Sequence, residues 1–225
     1  MREIVLDTET TGLDPAEGHR IVEVACIELV HHVPTGRKFH RYVNPERDMP
    51  EDALAVHGIT AEFLSNQAPF AVIADELLAF IGSDRLVIHN SEFDLSFLNA
   101  ELARLHRDPI SCAFVDTLGL ARVRFPGAPA SLDALCRRFE IDLSDRVEHG
   151  AEIDCRLLAA VYLELLGGRR DRSTATRATS VCRSRSAEAA RRNSSPDGGC
   201  RGKTVSCSLT CAAGTAGRAR YPPAV

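Results

Sequence analysis

Residues 3–13 read EIVLDTETTGL, a short apolar run followed by two carboxylates that are one residue apart. Residues 4–6 are typical of a buried strand, and the Thr- and Gly-containing segment after them is typical of a turn. Because alternate strand residues point to the same side, Asp7 and Glu9 should present their carboxylates together. Such a pair favours a divalent cation, and oxygen donors suit Mg²⁺ or Mn²⁺. Taken alone, the tripeptide is explained equally well by ordinary turn and capping roles.

A third carboxylate lies in HNSEFD, residues 89–94, directly after a predicted strand at residues 86–88. Asn90 or Ser91 can cap the helix that begins there, and Asp94 then falls in its first turn. The helix dipole stabilises a carboxylate at that place, so a purely structural role also fits. A catalytic role requires Asp94 to lie at the sheet edge beside Asp7.

The segment EHGAEID, residues 148–154, opens the last predicted helix. With His149 in the preceding loop and Asp154 on the second turn, both side chains can face one cleft. His149 could then deprotonate a water while Asp154 holds a metal ion. An incidental loop histidine is the alternative interpretation.

The remaining pattern predicts an α/β fold in which a mixed five-stranded sheet is flanked by helices around one core. The first three strands should form an antiparallel meander, with a turn at Pro34-Thr35-Gly36 between the second and third. Apolar spacing predicts strands at residues 3–7, 20–32, 39–43, 86–88 and 113–115, and helices at residues 68–81, 91–105, 116–123, 131–139 (capped by Ser131) and 151–166.

Together, the D-x-E pair, the central Asp and the H-x4-D pair resemble the DEDDh family of 3′→5′ exonucleases, which is named for these five residues and has a ribonuclease H-like fold. Within that family, the chain is similar to the proofreading exonucleases of bacterial replicative DNA polymerases. The similarity covers residues 2–168 and is carried by the segments at residues 4–13, 56–60, 86–90, 131–136 and 149–151.

The resemblance implies hydrolysis at DNA 3′ ends that removes mismatched nucleotides as nucleoside 5′-monophosphates. It implies two divalent metal ions, Mg²⁺ or Mn²⁺, held by Asp7, Glu9, Asp94 and Asp154, with His149 as the general base. Two other functions stay open: an exonuclease acting on RNA ends or short oligonucleotides, and a catalytically inactive binding module.

The resemblance also implies the substrate contacts and the partners. Residues 10–12 would offer backbone and hydroxyl groups to the terminal nucleotide. The implied partners are the DNA 3′ end, the polymerase catalytic (alpha) subunit and the sliding clamp. The residues implied to bind the substrate are Asp7, Glu9, Thr10, Asp52, His57, Asn90 and Asp154.

Charge divides the chain into two parts. Residues 1–168, the predicted exonuclease domain, carry a net charge of −13, so this part alone should bind nucleic acid weakly. Residues 169–225 carry +9, are rich in Arg, Ser, Ala and Gly, and are predicted to be disordered. This tail could bind DNA or fold back on the acidic domain.

The tail lacks the features that would support a partner-binding or metal-binding role. It contains no Gln and no apolar cluster, so it does not resemble the usual clamp-binding and polymerase-binding segments. An out-of-frame translation product would have this composition. A zinc site is disfavoured because the tail has no His and no Cys-x-x-Cys pair; its candidate ligands would be Cys200, Cys207 and Cys211.

No apolar run approaches the roughly 20 residues that a membrane-spanning helix needs. Acidic residues also come too early for a signal-peptide core, so the sequence predicts a cytoplasmic protein. Because that compartment is reducing, disulfides are not expected. Four cysteines within apolar segments are predicted to be small buried side chains: Cys26, Cys112, Cys136 and Cys155.

Overall fold

The computed structural model describes residues 1–144 and 149–168. The predictions made for residues 169–225, namely disorder, contact with DNA or with the acidic domain, an out-of-frame origin and the disfavoured zinc site, lie outside these described residues.

The sheet has five strands in the order β3-β2-β1-β4-β5. Strands β1, β2 and β3 pair antiparallel, whereas β4 pairs parallel to β1 and β5 pairs parallel to β4. The predicted mixed five-stranded sheet and antiparallel meander are therefore confirmed. The strands are β1 (Arg2–Thr10), β2 (Ile21–Val30), β3 (Val33–Tyr42), β4 (Arg85–Ile88) and β5 (Phe114–Asp116).

Seven α-helices lie within the described residues, together with one 3₁₀ turn at Pro15–Glu17. The five predicted helices are present, and each ends within two residues of its expected bounds. The sequence did not predict α1 or α2, which are too short to show a helical apolar period. The helices are α1 (Glu51–His57), α2 (Ala61–Ser65), α3 (Phe70–Ile81), α4 (Ser91–Arg104), α5 (Thr117–Arg124), α6 (Leu132–Phe139) and α7 (Ala151–Leu165).

Central strand β1 is buried on both faces, and its side chains alternate between two cores. Ile4 and Leu6 belong to a core that includes α3 and α4 side chains. Val5 belongs to the opposite core, with side chains of α6 and α7. By the same alternation, Asp7 and Glu9 continue the α7 side of the strand and Thr8 continues the α4 side.

The predicted turn at Pro34-Thr35-Gly36 is wrong. The β2–β3 turn is formed by His31 and His32, whose φ angles of 53° and 65° give the left-handed pair of a two-residue hairpin. Gly36 lies inside β3 at a register irregularity, where its φ of 90° serves a bulge rather than a turn. As a result, β3 begins at Val33, six residues before its predicted start.

Two other local predictions differ from the structure. Strand β1 continues to Thr10 instead of ending near Asp7, because β2 pairs with it along its whole length. Asn90 precedes α4 in a left-handed conformation without a side-chain cap; the backbone amides of Asn90 and Ser91 instead donate to Asp116 Oδ1. The Ser131 cap is confirmed, since its hydroxyl accepts from the Ala134 amide.

Among the described residues, no helix is long and apolar enough to cross a membrane. Cys26, Cys136 and Cys155 are buried thiols, as predicted. Cys112 is partly exposed, so its predicted burial is wrong. It lies in the loop before β5, where it packs against the edge of the core that includes α3 and α4 and its Sγ donates to the Gly82 carbonyl oxygen over 3.3 Å.

Candidate active site

The site forms where the end of β1 meets the start of α7. One ligand atom each from Glu9, His149 and Asp154 lies within 4.8 Å of the others, close enough to share one cation. Asp7 is partly buried on the same side of β1, and its carboxyl group interacts electrostatically with Glu9 and Asp154. The structure therefore brings the D-x-E pair and the H-x4-D pair together.

Asp94 reaches the same place from the other face of the sheet. It is buried in the first turn of α4, and Thr8 Oγ1 donates to its Oδ1 over 2.8 Å. Among the neighbouring charges, that of Asp94 contributes most to the raised pKa of Asp7. The four carboxylates predicted from the sequence thus converge at the end of β1, between α4 and α7.

His149 lies in the loop before α7, as expected, and its side chain is 49% exposed. Its Nδ1 lies 3.5 Å from Asp154 Oδ2, and its backbone amide donates to the Val56 carbonyl over 3.4 Å. Asp154 is in the first turn of α7 rather than the predicted second. The exposed imidazole beside a buried carboxylate leaves one side of the site accessible to water and substrate.

Burial and mutual repulsion disfavour the charged forms of the inner carboxylates. Burial, followed by the charges of Asp94, Glu9 and Asp154, raises the pKa of Asp7 well above its usual range. Burial raises the pKa of Asp94 to about 7, although the Thr8 hydrogen bonds act in the opposite direction. A bound cation would relieve both effects, so this donor set of carboxylate oxygens and one imidazole fits a hard divalent ion.

A cavity of about 500 Å³ adjoins these carboxylates. Thr10, Asp52 and His57, three of the residues that the resemblance implied to bind the substrate, line it, whereas Asn90 is exposed and is not part of its lining. The cavity mixes polar groups from the end of β1 with apolar side chains from α1 and α4. Its lining comprises Thr8, Glu9, Thr10, Thr11, Gly12, Leu13, Glu17, His19, Pro50, Asp52, Ala53, Val56, His57 and Phe93.

Helix α1 places His57 at the cavity in a fixed orientation. The His57 side chain is buried, and its Nδ1 accepts a hydrogen bond from the Ile59 amide over 3.0 Å. In the neutral ring, this bond selects the tautomer with the proton on Nε2. Gly58 ends α1 in the left-handed conformation with φ of 69°, which permits the tight return to Ile59.

The loop after β1 is held by its own side chains. Thr10 Oγ1 donates to the Gly12 carbonyl over 2.6 Å, and Thr11 Oγ1 accepts from the Arg20 amide over 3.0 Å. Thr11 Oγ1 also lies 3.1 Å from His19 Nδ1. Hydrogen bonds within the loop therefore hold the hydroxyl and backbone groups that the resemblance assigned to the substrate, and these groups lie in the cavity wall.

Several residues beside the site were not singled out from the sequence. Leu13, Val56 and Phe93 give the cavity apolar walls, and Leu13 is 85% exposed although it is apolar. Glu23 lies opposite Glu9 on β2 and is buried. A carboxylate inside the apolar run IVEVACIELV was the available signal for Glu23, because buried charges need partners.

The sequence comparisons agree with this geometry. Residues 4–162 match the RNase_T family model, which describes exonucleases. DNA polymerase III subunit epsilon of Rickettsia felis is 56% identical over 173 residues, which cover 75% of this chain and 76% of that protein. The Escherichia coli K12 protein of the same name is 46% identical over 175 residues, covering 74% and 72%.

The chain belongs to this exonuclease family. Two solved exonuclease structures share its fold. Exonuclease X in complex with 5′-overhanging duplex DNA matches with a TM-score of 0.60 and 25% identity, covering 73% of this chain and 91% of that one. The nuclease domain of 3′hExo, a DEDDh family member bound to rAMP, matches with a TM-score of 0.63 and 19% identity, covering 74% and 92%. The predicted ribonuclease H-like exonuclease fold is confirmed.

The raised pKa of Asp94 in this exonuclease gives a stability test. Between its ordinary value of 3.8 and about 7, the unfolded chain releases the Asp94 proton while the folded domain retains it. Folding therefore becomes less favourable as pH rises through this window, by on the order of a few kcal/mol. Asp94→Asn does not titrate, so its melting temperature in EDTA should exceed that of the wild type progressively from pH 4 to pH 7.

Melting curves at pH 4, 5, 6, 7 and 8 check this expectation, and groups that titrate identically in both proteins cancel in the difference. Adding Mg²⁺ should stabilise the wild type more than Asp94→Asn at pH 8. A difference in melting temperature that is independent of pH would show that Asp94 ionises normally in the folded domain.

Gly12, in the loop after β1, should not tolerate a side chain. A Cβ at this position would overlap the His19 imidazole, so the ring or the loop has to shift. Because both line the cavity, we expect Gly12→Ala to lower kcat/KM on a DNA oligonucleotide by on the order of 10–100-fold. Initial-rate measurements check this expectation, with circular dichroism to confirm folding. A folded variant with wild-type kcat/KM would place the substrate elsewhere.

Proposed function

We propose that the chain is a metal-dependent 3′→5′ exonuclease that removes mismatched nucleotides from DNA 3′ ends, as the proofreading subunit of a bacterial replicative DNA polymerase. The observation that carries this proposal is the meeting of Asp7, Glu9, Asp94, Asp154 and His149 beside a nucleotide-sized cavity. Similarity to proteins named DNA polymerase III subunit epsilon supports the replicative role.

The four carboxylates would hold two divalent ions, Mg²⁺ or Mn²⁺. When bound, such ions supply Lewis-acid stabilisation of the charge that develops on the phosphate group and the leaving oxygen. Asp7 would help to hold the ions from the centre of the site, because its charge interacts with Glu9 and Asp154 on the α7 side and with Asp94 on the α4 side. Its pKa, raised first by burial and then by the charges of these neighbours, is the electrostatic support for this assignment.

His149 acts as the general base in this proposal. Its exposed imidazole accepts a proton from the attacking water, and Asp154 Oδ2 at 3.5 Å stabilises the imidazolium that forms. The water's oxygen bonds to phosphorus, the bond to the 3′ oxygen breaks, and a nucleoside 5′-monophosphate leaves. The 3′ oxygen of the shortened strand takes a proton from solvent and becomes the new 3′ hydroxyl group.

The cavity beside the carboxylates receives the terminal nucleotide. Thr10 and the backbone of residues 10–12 contribute polar contacts on one wall, while Asp52 and His57 contribute them from α1. Apolar Leu13, Val56 and Phe93 provide surface for the base. Asn90 lies at the start of α4, outside this lining, and its contact is proposed to be with the strand beyond the terminal nucleotide.

The acidity of the domain favours a partner that delivers DNA. Residues 1–168 carry a net charge of −13, which opposes unaided binding of a polyanion. We therefore propose the polymerase catalytic (alpha) subunit as a partner, with the sliding clamp in the same assembly. Because this assembly would act on the bacterial chromosome, we propose that it is located in the cytoplasm. Residues 169–225 are proposed to be a separate segment from the exonuclease domain.

A paired digestion tests the proposal. A 5′-labelled primer with a 3′ mismatch on its template, the same primer fully matched, and an RNA strand of the same sequence are incubated with the protein in Mg²⁺, with and without the polymerase subunit. We expect stepwise shortening of the DNA from its 3′ end, faster for the mismatched primer and faster again with the polymerase. A rate on RNA equal to that on DNA would overturn the substrate assignment.

RNA 3′ ends are the second candidate substrate. The favouring observation is that a structural neighbour with the same fold was solved with rAMP bound. Discrimination depends on whether the cavity accepts a 2′-hydroxyl group beside the ribose. Substrates that differ by one terminal ribonucleotide measure this directly, and the DNA proposal expects the ribonucleotide-ended strand to be shortened more slowly.

A further inference from the structure

Glu23 is a fifth carboxylate beside the site, and the proposed reaction assigns it no task. It lies on β2 directly opposite Glu9, and its side chain is 3% exposed. Its charge also acts on Asp7, although more weakly than those of the other three proposed metal ligands. A buried carboxylate in a strand requires specific hydrogen-bond donors, and these donors indicate what Glu23 does.

One oxygen of Glu23 caps α7. Its Oε2 accepts a hydrogen bond from the Ala151 amide over 3.1 Å. Gly150 is the N-cap residue of α7 and offers no side-chain cap, so Glu23 of β2 satisfies one of the first amides of the helix, which have no partner within the helix itself. This bond fixes the backbone one residue after Gly150 and two residues after His149.

The other oxygen of Glu23 is held by His40. His40 Nε2 lies 2.6 Å from Glu23 Oε1, and His40 Nδ1 lies 3.1 Å from Glu152 Oε2. Lys38 Nζ also donates to Glu152, over 2.7 Å. Side chains of β2 and β3 therefore contact the first turn of α7 at two residues: Glu23 bonds to the Ala151 amide, and His40 and Lys38 pair with Glu152.

We propose that Glu23 is a positioning residue for the exonuclease reaction, because it sets where His149 and Asp154 stand relative to Glu9. The inference rests on the proposed function and adds to it a residue that touches neither substrate nor metal. His149 precedes the capped amide by two residues and Asp154 follows it by three, so this hydrogen bond holds the backbone between them and adds to the bond from the His149 amide to the Val56 carbonyl. Partners of this kind around a metal site typically change activity by about 10–100-fold when removed.

The neighbouring elements explain why the effect should fall on turnover. The cavity for the terminal nucleotide is built from the end of β1, the loop after it, α1 and Phe93 of α4. Neither Glu23 nor Ala151 lines it. Loss of the Glu23 bond should thus displace the groups that act on the scissile phosphate while leaving the nucleotide-binding surface in place.

Three variants of the full chain separate positioning from simple stability. Glu23→Ala removes the cap. Glu23→Gln can keep it, because the amide oxygen can accept from Ala151 while its NH₂ group donates to His40 Nε2. Glu28→Gln is the matched control: Glu28 is equally buried on the same strand, but it pairs with Arg2 and Arg37. Each protein is assayed for kcat, KM and melting temperature on a single-stranded DNA oligonucleotide in Mg²⁺.

We expect Glu23→Ala to lower kcat by about 10–100-fold with KM nearly unchanged, and Glu23→Gln to recover most of kcat. Glu28→Gln should lower the melting temperature and leave kcat at the wild-type value. Equal kcat for Glu23→Ala and wild type would overturn the inference, as would an equal fall in kcat for Glu28→Gln. If Glu23→Ala fails to fold, a low kcat in folded Glu23→Gln contradicts the inference.

The activity of the wild-type protein distinguishes failure of the proposed function from failure of the proposed role of Glu23. A wild-type protein that releases no nucleotides would contradict the proposed function itself. An active wild type with an unaffected Glu23→Ala variant would contradict only the role of Glu23.

Discussion

Replacing Asp7 with Asn is expected to reduce hydrolysis of DNA 3′ ends by on the order of 10³-fold or more while the domain stays folded. The variant keeps the side-chain shape but removes a charge that would help to hold the proposed ions. Stabilisation of the developing charge by metal ions is worth several kcal/mol, and about 4 kcal/mol corresponds to a factor of about 10³ in rate. Rates on a labelled oligonucleotide at saturating Mg²⁺ measure the loss.

The same substitution should not destabilise the metal-free protein. Burial and the charges of Asp94, Glu9 and Asp154 raise the pKa of Asp7, which means that its ionised form is disfavoured in the folded state. A neutral amide relieves this repulsion, so the melting temperature in EDTA at pH 8 should be equal to or higher than that of the wild type. An unfolded Asp7→Asn protein would instead assign Asp7 a structural role.

Glu3→Gln provides the matched control for Asp7→Asn. Glu3 is a buried carboxylate on the same strand, but it lies at the opposite end and accepts from Tyr162 Oη over 3.0 Å. It also lies 2.6 Å from His32 Nδ1. This variant should lose stability and keep its activity, which separates the effect of the site from the general effect of a buried charge on β1.

Replacing His149 with Ala is expected to lower turnover by about 10²–10⁴-fold, the usual contribution of a general base. The half-saturating Mg²⁺ concentration should stay nearly unchanged, because four carboxylates remain to hold the ions. Activity should recover partially at high pH, where hydroxide replaces the missing base. Rates measured from pH 6 to pH 10 at several Mg²⁺ concentrations test all three expectations.

The grouping of His149 with Glu9 and Asp154 within 4.8 Å gives this experiment a second possible outcome. If His149 is chiefly a metal ligand, His149→Ala should raise the Mg²⁺ requirement, and excess Mg²⁺ should restore turnover. That result would contradict the general-base assignment. His106→Asn serves as the control, because His106 is an exposed histidine at the end of α4 whose φ of 55° suits Asn.

Strand alternation and order explain why much of the site could be predicted from the sequence. The pairing of Asp7 with Glu9 follows from the two-residue period of a strand, and β1 obeys that period between its two cores. The placement of His149 before α7 follows from the apolar pattern of the helix. These features depend on residues that are close together in the sequence, so the sequence alone predicts them.

Other features depend on tertiary contacts that no local pattern reveals. Helix α1 carries Asp52 and His57 to the cavity, yet it has seven residues, of which only His57 is buried. The role of Asp116 at the start of α4 needs β5 to lie beside β4, because its oxygen accepts from amides 25 and 26 residues away. The Glu23 cap joins residues that are 128 positions apart.

The hairpin error has a specific physical cause. Pro34-Thr35-Gly36 has the composition of a turn, whereas two consecutive histidines do not usually occupy left-handed positions. In the structure, Glu3 lies 2.6 Å from His32 Nδ1, and the Met1 carbonyl accepts from the His31 amide over 3.1 Å. Contacts with β1 therefore stabilise the turn at His31 and His32, and Gly36 serves a bulge.

Identification of the product released from a DNA 3′ end tests the central claim most directly. A single-stranded oligonucleotide is incubated with the metal-free protein, first in EDTA and then in excess Mg²⁺ or Mn²⁺, and the products are identified by mass spectrometry. The five-residue site predicts no release in EDTA and successive nucleoside 5′-monophosphates from the 3′ end once metal is present. Undiminished release in EDTA, or nucleoside 3′-monophosphates as products, would contradict it.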